Sequence, residues 1–311
     1  MRITHGLHPR LSHASAITIG NFDGLHIGHQ TMLRQLVSAA SERDLTPCAV
    51  TFEPHPREFF NPGNAPARLS SLRDKLENMK SLGIEHVHIC TFSQALAEMP
   101  ALRFIDQILL QGLHMKYLLI GDDFRFGVRR SGDFALLQQQ SSERNFTLEA
   151  MSSISADGLR ISSTAVREAL ANGRFDVAQR LLGRPYQISG RVIHGEKLGR
   201  TLGFPTANIS IRHDNLPLTG VFIVQVRGLG AEPLPAVASL GLRPTVNPAA
   251  RPLLEIHLLN FSAEIYGRIL RVDFLAKLRD EEKYPTLNAL TQQIQRDVAC
   301  AHDYFNHLSA V

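Results

Sequence analysis

Hydrophobic positions in the first half of the chain follow two alternating periods. Ser15 to Gly20 is a short apolar run ending in glycine. From Thr31 to Arg43, Met32, Leu33, Leu36, Val37 and Ala40 recur at helical spacing, which predicts an amphipathic helix. Pro47–Phe52, His86–Phe92, Tyr117–Gly121 and Phe146–Met151 predict further strands, and Ser70–Leu82, Ala101–Gln111 and Phe134–Glu143 predict the helices between them. Strands alternating with helices of this length imply βαβ units and a mostly parallel sheet. Two shorter helices follow at Ser163–Ala171 and Phe175–Leu182, and Gly183-Arg184-Pro185 ends the helical territory.

Beyond that punctuation the period changes. Gln187–Ile193, Gly220–Val226, Leu234–Leu240, Leu253–Leu259 and Ile269–Leu275 are short strand runs separated by Gly- and Pro-rich turns, the pattern of an antiparallel barrel or sandwich. Thr286 to Leu308 predicts a closing helix with Leu287, Leu290, Ile294, Val298 and Phe305 on its inner side. Two domains are therefore expected, residues 1–183 and 184–311, consistent with a chain of 311 residues exceeding the size that one core usually serves.

Composition narrows the class. At 44% hydrophobic and 20% charged residues the chain is globular, not disordered or fibrous. A net charge of +4 suits anionic small molecules and is too mild to argue for nucleic acid. No run approaches the roughly 20 apolar residues of a membrane span, and the polar, His-rich stretch from Met1 to Ser15 lacks the apolar centre of a signal peptide. Cys48, Cys90 and Cys300 are far apart and read as small buried hydrophobes in a reducing compartment. A cytoplasmic location with no membrane and no obligate protein partner is expected.

The first candidate chemistry lies in Gly20-Asn21-Phe22-Asp23-Gly24-Leu25-His26-Ile27-Gly28-His29, a strand-to-helix connection. In open α/β sheets such connections at the carboxyl ends of strands hold ligands. The glycines let backbone approach a bulky anion, and the amides of the following helix favour phosphate. His26 and His29, three apart at the helix start, can face one phosphoryl group together. They could also be ordinary cap residues or a metal pair, but a metal pair has no obvious companion ligands.

The stretch Gly-x-Phe-Asp-x-x-His-x-Gly-His resembles the signature of the HxGH nucleotidyltransferases. The resemblance implies that the two histidines contact an ATP triphosphate and stabilise charge on the reacting phosphorus, with no covalent enzyme intermediate. Thr51-Phe52-Glu53-Pro54-His55-Pro56, Gly121-Asp122-Asp123-Phe124-Arg125-Phe126-Gly127 and Ile161-Ser162-Ser163-Thr164-Ala165-Val166-Arg167 are similar to the prokaryotic bifunctional riboflavin kinase/FMN adenylyltransferases, or FAD synthetases. A Rossmann-like N-terminal domain is implied, with Gly20, Asn21, Phe22, Asp23, Gly28, Asp123, Ser162, Ser163, Thr164 and Arg167 expected around ATP. Hydroxyls and a guanidinium at a helix start also suit a leaving pyrophosphate on physical grounds.

The second candidate is Gly195-Glu196-Lys197-Leu198-Gly199-Arg200-Thr201-Leu202-Gly203-Phe204-Pro205-Thr206-Ala207-Asn208. It is not a P-loop: counted from Gly190, Glu196 occupies the required lysine position and no Ser or Thr follows Lys197. Thr206 and Asn208, two apart on a strand-like segment, point the same way and can help hold Mg²⁺ through oxygen; an ordinary Asn/Thr turn is the alternative. Gly-Arg-x-Leu-Gly-Phe-Pro-Thr-Ala-Asn resembles the riboflavin kinase signature, and Gly241–Thr245, Leu254–Phe261, Tyr266-Gly267 and Leu278–Glu281 follow in that family's order. The resemblance implies a β-barrel kinase domain with a C-terminal helix. It also implies Glu255 as catalytic base, Gly195, Lys197 and Gly199 at the ATP phosphates, and Arg243 and Arg279 at the flavin. Asn260, Val246 and Phe222 depart from its commonest residues. Together the motifs imply two steps: riboflavin and ATP give FMN, then FMN and a second ATP give FAD and pyrophosphate. Competing readings are a kinase with a decayed N-terminal half, a flavin-binding regulator, and a nucleotidyltransferase for lipid or sugar phosphates.

Overall fold

The computed structural model describes residues 1–309 apart from 8, 10, 153, 157–158, 196–197, 212–214 and 243–251. Lys197 and Arg243 lie outside the described residues. The chain forms two compact units, one of Met1–Pro66 with Leu72–Ser163, the other of Ala67–Ser71 with Thr164–Val311.

In the first unit, β1 (Arg2–His5), β2 (Ser15–Ile19) and α1 (Ile27–Glu42) are followed by β3 (Thr46–Glu53), α2 (Pro56–Phe60), α3 (Leu72–Ser81) and β4 (His86–Thr91). Then come α4 (Gln94–Ala97), α5 (Ala101–Arg103) with a π-helical continuation over Phe104–Gly112, β5 (Met115–Gly121), α6 (Phe134–Arg144), β6 (Thr147–Met151) and the small hairpin β7 (Ser155–Ala156)–β8 (Leu159–Arg160). The sheet is parallel in the order β1-β4-β3-β2-β5-β6. The chain steps from β2 outward to β3 and β4, then returns to the other side of β2 with β5. That reversal places the topological switch point between β2 and β5, where ligands of open α/β sheets bind. One face packs Ile17, Val50 and Leu118 against Ile105 and Leu137; the other packs Ala49, Val87 and Leu119 against Leu33 and Leu36 of α1.

The edge strand β1 is joined to β4 by side chains as well as backbone. Thr4 Oγ1 lies 2.8 Å from His86 Nε2 and 2.9 Å from His88 Nδ1. Burial, aided by Arg2 and His13 near His86 and by His86 and His5 near His88, holds both imidazoles down to about 4 against an ordinary 6.5. The folded unit keeps them neutral, whereas the unfolded chain takes up protons from 6.5 downward. The stability they contribute is therefore complete above 6.5 and is lost as pH falls toward 4. The urea midpoint of this unit should fall across that window, and fall less in a His86→Gln/His88→Gln variant; a flat wild-type midpoint would contradict this.

In the second unit, α7 (Ser163–Ala171) continues from the first, and α8 (Phe175–Leu182) ends on Gly183 with φ 70°, a left-handed stop that glycine adopts without strain. The strands are β9 (Tyr186–Ile193), β10 (Ala207–Ser210), β11 (Gly220–Arg227), β12 (Leu234–Leu242), β13 (Pro252–Leu258) and β14 (Ile269–Arg279), with α9 (Leu198–Thr201) before β10 and α10 (Leu287–Ser309) last. They close an antiparallel barrel in the order β10-β13-β12-β11-β14-β9. On β13, Pro252, Leu254, Ile256 and Leu258 are buried while Leu253, Glu255 and His257 are half-buried, the period-2 alternation of a strand with one face in a core. Phe222, where the family often has tyrosine, is fully buried between Phe175 and Phe274. Helix α10 covers Val221, Ile223 and Val237 with Val298, Ala301 and Phe305.

Two readings of α10 need correction. Leu287, expected on its inner side, is 59% exposed in the first turn. Cys300, expected to be buried, faces solvent, whereas Cys48 and Cys90 are buried. The helical stripe reaches neither position, because the inner face turns away from both.

Candidate active sites

The turn after β2 is held in a contorted shape. Phe22 (φ 49°), Gly24 (φ 78°) and Leu25 (φ 41°) are all left-handed, a conformation costly for the two bulky residues and kept only where surroundings impose it. Phe22 and Leu25 are both fully buried, and Gln30 Nε2 donates to Leu25 O at 2.9 Å. Gly20 is bonded to Val50 O at 3.0 Å, and a Cβ there would press on the Phe22 ring at 3.1 Å.

Helix α1 starts four residues before its hydrophobic period suggests, at Ile27. His26 is its N-cap: Nδ1 accepts from the His29 backbone N–H at 3.3 Å. The two imidazoles stack with centroids 3.7 Å apart, and a Cβ on Gly28 would crowd the His26 ring at 3.2 Å. His29 is half-buried, but its Nδ1 is sealed from solvent without a hydrogen-bond partner, as is Asn21 Oδ1. Burial, then His26 and Lys75, hold His29 well below the ordinary histidine range, so at neutral pH it acts as a neutral hydrogen-bonding group. Buried unpartnered polar atoms are rare and costly, and here they cluster in one turn at the switch point.

The structure brings the Ile161–Ser163 stretch to this turn. Ser163 Oγ donates to Asp23 O at 2.9 Å, and Asp23 is itself buried. Ser162 precedes it, and Thr164 and Arg167 continue along α7, where Arg167 Nε donates to Ala67 O at 2.6 Å. Asp123, after β5, is ion-paired with Arg160 of β8 at 2.6 Å, both largely exposed. Lys75 was not among the sequence candidates. It is buried on α3, with Nζ 3.4 Å from Thr51 Oγ1.

On the barrel, Asn208 of β10 pairs directly with Glu255 of β13. Directly opposed residues of an antiparallel pair have Cα atoms roughly 4.5–5.5 Å apart and share a face. Their flanking residues Ile209, Leu254 and Ile256 fill the core, so Asn208 and Glu255 face outward together. Asn208 is 5% exposed, and its Oδ1 is buried without a partner. Gly195 has no room for a side chain because a Cβ would collide with the Asn208 amide; one on Gly199 would collide with Phe204 O. Thr206 and Asn208 line a cleft with Gly195, Pro205, Arg200 and Tyr266. Arg200 and Tyr266 are additions to the sequence candidates; the Tyr266 ring lies tilted against His194 with centroids 3.9 Å apart. The orphaned amide oxygen beside a threonine is a donor set that suits Mg²⁺.

Arg279, which the resemblance implies at the flavin, ends β14. Its Nε and Nη2 make hydrogen bonds of 2.8–3.1 Å to Asp297 of α10, a forked pair that fixes the guanidinium plane.

A family model described as FAD synthetase matches residues 8–165, and one described as riboflavin kinase matches residues 182–305. The chain is 48% identical to the bifunctional riboflavin kinase/FMN adenylyltransferase of Haemophilus influenzae over 98% of its length and 100% of the relative's. It is 44% identical to that of Escherichia coli K12, covering 98% of each. A crystal structure described as a macrolide-efflux protein from Streptococcus pneumoniae shares the fold at TM-score 0.80 and 25% identity, covering 97% of this chain and 99% of that one. Among the described residues no helix is long and apolar enough to cross a membrane. The chain belongs to the bifunctional riboflavin kinase/FMN adenylyltransferase family, with adenylyltransferase activity in its N-terminal part and kinase activity in its C-terminal part.

Proposed function

We propose that the two reactions run on the two residue sets described above, divided functionally at residues 1–183 and 184–311. The observation that carries this reading is the opposition of Asn208 and Glu255 across β10 and β13. It puts a carboxylate beside an unpartnered amide oxygen on one face. Glu255 accepts the proton of the terminal ribityl hydroxyl as that oxygen bonds to the γ-phosphorus of ATP and the bond to ADP breaks. Thr206 and Asn208 would hold Mg²⁺, which neutralises phosphate charge when bound. Gly195 and Gly199, which pack their backbone directly on Asn208 and Phe204, are assigned to the ATP phosphates by resemblance, as are Lys197 at the phosphates and Arg243 at the flavin. Arg279 would offer the flavin a guanidinium already fixed by Asp297.

At the HxGH turn, an FMN phosphate oxygen attacks the α-phosphorus of ATP and pyrophosphate leaves. His26 and His29 stabilise charge on the reacting phosphorus, and the Gly20–Asp23 and Gly28 backbone receives the triphosphate. Ser162, Ser163, Thr164, Arg167 and Asp123 are assigned to ATP by the family motifs. Neither step needs a nucleic-acid or protein partner on this reading. A cytoplasmic setting fits Cys48, Cys90 and Cys300, all free thiols.

Asn208→Ala tests the metal assignment. It should raise the Mg²⁺ concentration for half-maximal FMN formation by about tenfold or more, as loss of metal-site support commonly does. FAD formation from supplied FMN should be unchanged. An unchanged Mg²⁺ requirement would remove Asn208 from the site.

A further inference from the structure

Lysine is among the residues least often buried, because an ammonium loses much hydration energy unless a specific environment receives it. Lys75 is nevertheless only 4% exposed. It belongs to none of the motifs that mark the chain's chemistry. Its Nζ lies 3.4 Å from Thr51 Oγ1, and the same hydroxyl, fully buried at the end of β3, donates to Asn21 O at 3.3 Å. Asn21 opens the contorted stretch that carries the left-handed Phe22 and Leu25. The Lys75 charge also acts on His29. A single buried cation thus reaches both the backbone of the HxGH turn and its second histidine.

We propose that Lys75 is a positioning residue for adenylyl transfer: through Thr51 it holds Asn21, and hence the turn bearing His26 and His29, in the shape that receives the triphosphate. The proposal rests on the reading of that turn as the adenylyl-transfer site. Two physical effects operate together. The hydroxyl relay ties a strained loop to a helix in the core, which limits the small misplacements that reduce rate. The fixed positive charge acts on the turn that is to receive a polyanion and needs no reorganisation when it arrives. His29 is surrounded by His26 of the same turn and by Lys75; Asp23 is buried within the turn, and Asp74 precedes Lys75 on α3.

The test uses full-length Lys75→Met, Lys75→Arg and Thr51→Val, with FAD formation from FMN measured from about pH 5 to 9, the range in which histidine titrates. FMN formation from riboflavin in the same samples is the internal reference. Lys75→Met should lower kcat for FAD formation about 100-fold, with a smaller change in KM for FMN. Its acid limb should move to higher pH, because the charge opposing His29 protonation is gone. Lys75→Arg keeps the cation and should restore the limb and part of kcat. Thr51→Val should lower kcat about tenfold without moving the limb.

Wild-type kcat and pH profile in Lys75→Met would overturn the proposal. So would a loss with an unmoved limb that arginine does not relieve, which is the mark of a packing role. If Lys75→Met does not fold, a wild-type rate in Thr51→Val overturns it equally. Failure of the underlying reading looks different: His29→Ala would then leave FAD formation intact whatever the Lys75 variants do.

Discussion

Glu255→Ala is expected to lower kcat for FMN formation by about 10²–10⁴-fold, the contribution of a positioned general base, and to leave FAD formation from supplied FMN at its original rate. A primary alcohol is a poor nucleophile at neutral pH, so the barrier depends on where its proton goes. Glu255 is half-buried on the outward face of β13, and its neighbours Leu254 and Ile256 carry the core. The barrel should therefore survive the substitution. Glu255→Gln keeps size and hydrogen bonding but cannot accept the proton, so it should be nearly as slow. Glu255→Asp keeps the base but shortens its reach and should fall between. Rapid kinetic comparison of the three with riboflavin as substrate checks the assignment. A glutamine variant within tenfold of wild type would remove Glu255 as the base.

The second large effect is at the other site. His29→Ala should lower FAD formation by about 10²–10³-fold, the usual cost of removing one donor to developing charge, while riboflavin is still converted to FMN. The local geometry makes this substitution a clean test. The cap of α1 is made by the His26 side chain and the backbone N–H of residue 29, and that bond survives alanine. What is lost is the imidazole stacked on His26 at 3.7 Å and edge-on to Phe22 at 5.2 Å. His26→Ala, in contrast, removes the cap itself, worth about 1 kcal/mol, and so mixes stability with chemistry. Measured with FMN supplied, unchanged FAD formation by His29→Ala would remove the HxGH turn from the reaction.

Much of this architecture is legible from local pattern, and the exceptions share a cause. Helix α8 is readable to the residue because its apolar stripe runs into Gly183, which stops it. Strand β13 is readable because its alternation reports one buried face. Strand β1 carries no such signal: Arg2–His5 is a polar edge that becomes a strand only by pairing with β4, far along the chain. The apolar period of α1 begins only after Thr31, and its first turn from Ile27 is marked instead by the histidines of the motif, although histidine is not among the usual helix caps.

The sites follow the same rule. Motifs single out His26, His29, Thr206, Asn208 and Glu255, because the proposed chemistry calls for those residue types at fixed local spacing. The opposition of Asn208 and Glu255 is a matter of strand register across 47 residues (255 − 208). Lys75 lies beside the stripe Leu72, Leu76 and Met79 and reads as a solvated position until β3 brings Thr51 to it. Arg279 falls beyond the predicted strand Ile269–Leu275, and the sequence predicts the closing helix that carries Asp297 but not the pairing of the two residues.

The central claim is that one chain makes FMN and consumes it. Its most direct test is to incubate the pure protein with riboflavin, ATP and Mg²⁺, and to separate riboflavin, FMN and FAD chromatographically over time. Riboflavin should decline as FMN rises and FAD follows, with FAD also formed when FMN is supplied alone. FMN accumulating with no FAD, even from supplied FMN, would contradict the account.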